Sequence, residues 1–140
     1  MRRKYEKDCG IDLALDEQEV ISLPPGHMAI LHLEEVDLRD SDWQALLIPR
    51  HSTFGLGLIV TTTLTDIGFC GRPGLQVYDC SNNTVKLIPG NYYAQMIFLQ
   101  PIIPDGIEPE KGKREDYDAK SDIARPPISG VRRPLSYLHG

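Results

Sequence analysis

Arg50 ends an apolar run, "WQALLIP", and begins a polar one, "RHST". An arginine at a strand end can fork onto a phosphate or onto a carboxylate, and Asp12 in "CGIDLAL" is a candidate carboxylate. Gln95 stands inside "YYAQMIF", where an amide among apolar neighbours needs a hydrogen-bond partner, either ligand phosphate or core backbone. The stretch Asp66-Ile67-Gly68-Phe69-Cys70-Gly71 carries glycines that let backbone amides and carbonyls approach a base edge, while Phe69 offers a ring face to a sugar. That suits a pyrimidine pocket. A tight turn with a buried phenylalanine uses the same residues.

Other reactive side chains are scattered. Cys9, Cys70 and Cys80 form an odd set without CxxC spacing, which fits ordinary thiols in a reducing compartment. His27, His32, His51 and His139 lack the spacing of a helical zinc pair, so no metal site made of protein side chains alone is expected.

The elements that must position these residues are strands. Turn signals at "PPG" (24–26), "DLRDSD" (37–42), "DIG" (66–68), "CSNN" (80–83) and "IPGN" (88–91) separate runs rich in Val, Ile, Leu, Thr and Tyr, none of which keeps a helical period. The expectation is an all-β barrel or jelly roll over residues 1–103. A short helical turn or a strand fits "SDWQAL" equally well. Residues 104–140 change character: "PDGIEPEKGKREDYDAKSD" is highly charged and "IARPPISGVRRPLSYLHG" is proline-rich without an acidic residue. This reads as an extended arm whose residues 125–140, with Arg125, Arg132, Arg133, Leu135, Tyr137 and Leu138, grip a neighbouring protein subunit. The chain of 140 residues carries a net charge of −5, which offers nucleic acid no general attraction. It holds no apolar run long enough to span a bilayer, and "MRRKYEKDCG" is not followed by a signal-peptide apolar region. The expected setting is the cytoplasm, or a virion.

In order, these motifs resemble the trimeric dUTPase and dCTP deaminase superfamily along nearly the whole chain. "CGIDLAL" (9–15) is similar to the family's Gly-x-Asp-Leu turn, and "LPPGHMAILHLEEVDL" with "ALLIPRHSTFGLGL" to the run leading into its Arg-Ser-Ser phosphate motif. "TDIGFCG" (65–71) resembles the hairpin that closes on pyrimidine and sugar, "PGNYYAQMIF" (89–98) the Gly-x-x-x-Ala-Gln-x-x-Phe motif, and "REDYDAKSD" a charged stretch of deaminase tails that includes Lys120. The resemblance implies a distorted jelly-roll barrel and a homotrimer with sites at subunit interfaces. Phe98, Ile97 and Tyr92 are the candidates for the seam. It also implies a pyrimidine deoxynucleotide ligand held by Asp12, Arg50, Ser52, Gly68, Phe69, Gln76, Gln95 and Lys120.

Departures from the pattern decide the expected chemistry. Gln76 falls where the deaminases keep a glutamate acid/base, and an amide cannot shuttle a proton. His51 and Gly55 replace a serine and an arginine of the phosphate motif, and the glycine-rich carboxy-terminal motif of typical dUTPases is missing. Deamination is therefore the least favoured activity. Asp66 falls where dUTPases keep their water-activating aspartate, which leaves dUTP hydrolysis to dUMP and pyrophosphate, with Mg²⁺ brought by the nucleotide, as the alternative. The favoured reading is a trimer without catalysis, in a structural or binding role such as decoration of a viral capsid.

Overall fold

The computed structural model describes residues 1–110 and the strand Gly130–Pro134; Lys120 and the rest of the arm lie outside the described residues. The strands are β1 (Ile11–Ala14), β2 (Ile21–Leu23), β3 (His27–His32), β4 (Val36–Asp37), β5 (Gln44–Pro49), β6 (Leu58–Val60), β7 (Thr63–Leu64), β8 (Cys70–Gly71), β9 (Gly74–Asp79), β10 (Val85–Leu87), β11 (Tyr92–Leu99) and β12 (Gly130–Pro134). A five-residue helix, α1 (His51–Gly55), follows β5.

The longer strands alternate in burial, as a strand with one face on a core must. In β9, Leu75, Val77 and Asp79 are buried while Gln76 and Tyr78 are only partly so, and in β5 Ala45 and Leu47 point inward. The inward residues belong to two four-stranded sheets, ordered β1-β11-β5-β7 and β12-β3-β9-β6. They form one cluster, with Leu13, Leu47 and Met96 from the first sheet against Leu31, Leu75 and Val77 from the second. Two short ribbons, β10-β2 and β4-β8, complete this all-β, jelly-roll-like fold. Truncating any of these fully buried leucines to alanine would cost about 2–5 kcal/mol.

Where either a helical turn or a strand was expected at "SDWQAL", the chain forms the start of β5. The apolar and threonine run "LGLIVTTTL" divides into β6 on β9 and β7 on β5. Helix α1 was not anticipated because five residues are too few to display a 3.6-residue period. It is fixed instead by tertiary bonds: the buried Thr53 hydroxyl donates to the Tyr93 carbonyl at 2.6 Å, and the Arg50 amide donates to the same oxygen at 3.1 Å. Within the arm, β12 pairs antiparallel with β3 of its own chain, through Gly130↔Ile30 and Val131↔Ala29.

Candidate functional site

Two of the expected site residues meet because strand register puts them in one row. Asp12 of β1 lies opposite Gln95 of β11, and Gln95 opposite Ile48 of β5. One residue beyond the end of β5, Arg50 turns back to this row and its Nε forms an ion pair with Asp12 Oδ1 at 3.0 Å. The carboxylate partner anticipated for Arg50 is thus present, and the guanidinium also donates through Nη1 to the Tyr92 carbonyl at 3.2 Å. A residue that the motifs did not suggest completes the group: Arg2 Nε donates to Asp12 Oδ2 at 3.0 Å, with its guanidinium 4.0 Å from the centre of the Tyr92 ring. Asp12 is only 5% exposed, so its charge needs these partners; removing all of them would leave an unpaired buried carboxylate at a cost of several kcal/mol.

Arg2, Arg50, Ser52, Asn91 and Tyr92 line an open cleft of about 450 Å³. Two guanidiniums facing one carboxylate leave an excess positive charge, and their remaining N–H groups and the exposed Ser52 offer donors to an anion. Helix α1 positions Ser52 here through the Thr53 bond. Gly55, where the family motif has arginine, faces open space, with nothing within 4 Å of an added Cβ. His51 is exposed, edge-on to Phe54 at 6.1 Å.

Gln95 uses core backbone: its Nε2 donates to the Pro49 carbonyl at 3.2 Å. Its other end lies over Gly10, where an added Cβ would sit 1.9 Å from Oε1. Gly10→Ala should therefore displace Gln95 and destabilise the β1-β11-β5 seam by about 1–3 kcal/mol. Denaturant midpoints would measure this, and the double change with Gln95→Ala should recover most of the loss through coupling of the pair.

Asp66, Gly68 and Phe69 form a second, separate cleft. The Phe69 amide donates to the Asp66 carbonyl at 3.2 Å across a tight turn, and Gly68 has φ +81°, a conformation that a type II turn requires at its third residue. Beyond the turn, β8 leaves to pair with β4, and Phe69 packs partly against the core. Thr63, Leu64, Asp66, Phe69, Pro73 and Gly74 contribute to a cleft of about 350 Å³, with the Asp66 side exposed to solvent. The Thr65 amide donates to the Ala45 carbonyl, so this turn lies beside the start of β5 while Arg50 follows its end. Five residues of strand separate the two, roughly 17 Å at the usual rise.

Gln76 lies in neither cleft. It occupies the outward face of β9, where its Oε1 accepts from Thr61 Oγ1 at 3.1 Å and its Nε2 lies 3.2 Å from Met28 Sδ. Among the three seam candidates, Ile97 is in the outward row with Leu46 and Leu64, Phe98 turns toward the core and Trp43 (ring centres 5.9 Å apart), and Tyr92 faces Arg2. Sequence reasoning missed Arg2, which read only as part of a basic start, and Thr53. It also missed a third, largely acidic cleft of about 500 Å³ lined by Asp16, Glu17, Glu19, His32 and Arg72. Among the described residues no group of three or more His, Cys, Asp or Glu side chains could hold a metal ion.

Comparison with known proteins places this architecture. An aspartate-to-asparagine variant of the dUTPase from phage phi11 of S. aureus, described with a structural Mg(II) ion, superposes with a TM-score of 0.66 at 17% identity, covering 81% of this chain and 90% of that one. A dUTPase variant of Staphylococcus bacteriophage 80alpha with dUpNHpp gives a TM-score of 0.64 at 16% identity, covering 81% and 90%. The Pol polyprotein of caprine arthritis encephalitis virus (strain Cork) is 26% identical over 97 residues, which are 69% of this chain and 8% of that polyprotein's length. The family profile described as dCTP deaminase-like matches residues 5–100, most of the chain and all of both clefts described above except Arg2: the protein belongs to the dCTP deaminase-like family.

Proposed function

We propose that the chain is a dUTP diphosphatase whose sites are completed between copies in a homotrimer. The observation that carries this reading is the separation of two half-sites by the length of β5, roughly 17 Å. Neighbouring phosphates of one polyphosphate are far closer than that, so one chain cannot bring its own Asp66 and its own Arg50 to adjacent phosphates of one nucleotide. Two copies can. One supplies the turn with Asp66 and Phe69 for sugar and base; the other supplies the Arg50, Ser52 cleft for the phosphates. The outward apolar row Ile97, Leu46, Leu64 is suited to the covered surface between copies.

In the step proposed, Asp66 orients a water and accepts its proton as the oxygen bonds to the α-phosphorus. The bond from that phosphorus to the oxygen bridging to the β-phosphate breaks, and pyrophosphate leaves with the electron pair. The cationic cleft stabilises the charge that develops on the leaving phosphates. The described side chains offer no cage for Mg²⁺, which would enter on the nucleotide; no part of the step above depends on it. A pyrophosphate-release assay with each deoxynucleoside triphosphate tests the proposal directly: release from dUTP and not from dCTP, dTTP, dATP or dGTP is expected, and release from none would overturn it.

One observation favours the non-catalytic reading, in which the trimer decorates or binds a partner in a setting such as a virion. Gly130–Pro134 is engaged as a strand on β3, so that part of the tail is not placed over either cleft. The viral relatives fit that setting.

Deamination is not expected in either case. Gln76 cannot move a proton and its amide is held by Thr61 and Met28, outside both clefts. dCTP should give no detectable dUTP, and Gln76→Glu alone should not create the activity, since His51 and Gly55 remain; chromatographic detection of dUTP from the unmodified protein would refute this.

A further inference from the structure

We propose that Arg2 is a second polyphosphate-binding cation, carried into the Asp12–Arg50 cleft by the segment that precedes β1. The inference rests on the reading of that cleft as the phosphate side of a nucleotide site. It goes beyond it by assigning a ligand contact to a residue outside the segment that matches the family.

Arg2 is held by three independent contacts. Its backbone bridges to Asp12, with amide and carbonyl bonded in both directions at 3.0 and 2.7 Å. Its Nε donates to Asp12 Oδ2, and its guanidinium carbon lies over the Tyr92 ring, 4.0 Å from the centre. The bond through Nε leaves both terminal nitrogens unassigned by these contacts, and the Tyr92 ring under the guanidinium carbon holds the group over the cleft lining. Arg50 forms an ion pair with the other oxygen of the same carboxylate at 3.0 Å and donates through Nη1 to the Tyr92 carbonyl, and both arginines line the cleft.

The charge balance points to an anion. One arginine suffices to neutralise Asp12, and two leave the group one positive charge in excess. Both Asp12 oxygens are engaged by guanidinium, and the side chain is 8% exposed, so the carboxylate presents little negative surface to an incoming phosphate. Ser52 and Asn91 add neutral donors at the rim. The chemistry that matches is a linear polyphosphate with several acceptor oxygens in reach of two forks.

Isothermal titration of the full chain with inorganic tripolyphosphate tests this, using the unmodified protein, Arg2→Gln, Arg2→Lys and Arg50→Gln. Arg2→Gln should bind about tenfold more weakly, as expected for loss of a charge-assisted bond pair. Arg2→Lys, which keeps a charge for Asp12 and loses the fork, should fall between. Hydrogen exchange of residues 2–12 should slow on adding tripolyphosphate to the unmodified protein and not to Arg2→Gln. A counter-ion of Asp12 alone would produce neither change. Unaltered affinity in Arg2→Gln, or in Arg2→Lys should the first variant fail to fold, would overturn the assignment of Arg2; loss of binding in Arg50→Gln would then still support the cleft. If the unmodified protein binds neither tripolyphosphate nor a non-hydrolysable dUTP analogue, the reading of the cleft falls, and this inference with it.

Discussion

Asp66→Asn should abolish pyrophosphate release from dUTP while leaving the affinity for a non-hydrolysable analogue within about twofold of the unmodified protein, with a rate loss on the order of 10²–10⁴. An asparagine keeps the size and one oxygen of the carboxylate and cannot take a proton from water. The backbone consequences are small, because the turn is closed by the Asp66 carbonyl and by Gly68, and asparagine is tolerated at such positions almost as well as aspartate. Asp66 is also exposed, so no core packing is lost. Stopped release with preserved binding assigns the base to Asp66. Release that continues at the original rate places the attacking water elsewhere, and loss of binding together with activity would mean that the side chain holds substrate and does not act as the base.

The fold was legible because its signals are local. Val, Ile, Leu and Tyr runs broken by "PPG", "DIG", "CSNN" and "IPGN" mark strands whatever their partners are, and the longer strands β3, β5, β9 and β11 fall within those runs, while the short β8 and the β12 of the arm do not. Gln95 and Arg50 were legible as residues in need of partners, because an amide inside an apolar strand and a guanidinium at a strand end have few stable fates. Asp12 was legible as a carboxylate for Arg50, whereas the choice of the Pro49 carbonyl by Gln95 follows from the β11-β5 register, which a single sequence does not display.

The failures have the same origin. Arg2 sits ten residues before Asp12, and only the bridge that folds residue 2 back onto β1 brings it to the cleft. Thr53 carried no signal of its own in the sequence, yet it is buried and bonds Tyr93, forty positions along the chain. Gln76 matched a catalytic position in the motif order and lies on an outer sheet face, because what a strand residue meets depends on which face the pleat gives it and on what covers that face.

Mixing two inactive variants should restore activity. In Asp66→Asn the phosphate side is intact, and in Arg50→Gln the turn is intact; the latter should still fold, because Arg2 remains on Asp12 and the carboxylate is not left unpaired. If each site takes Asp66 from one copy and Arg50 from its neighbour, random assortment of equal amounts in a cyclic trimer pairs two unmodified half-sites at about one quarter of the interfaces. Coexpressed and purified together, the variants should therefore recover about a quarter of the original dUTP turnover, against parents that are each lower by on the order of 10²–10⁴ and 10² respectively. A site built within one chain predicts the opposite: every chain in the mixture carries one defect, and turnover stays at the parental average. Ile97→Asp in both variants provides the control. It places a charge in the outward row with Leu46 and Leu64, so light scattering should report dissociation to monomers and the recovered turnover should disappear with it. Recovery that survives dissociation would show that no second copy is needed, and absence of recovery in a mixture that light scattering shows to be trimeric would overturn the shared site.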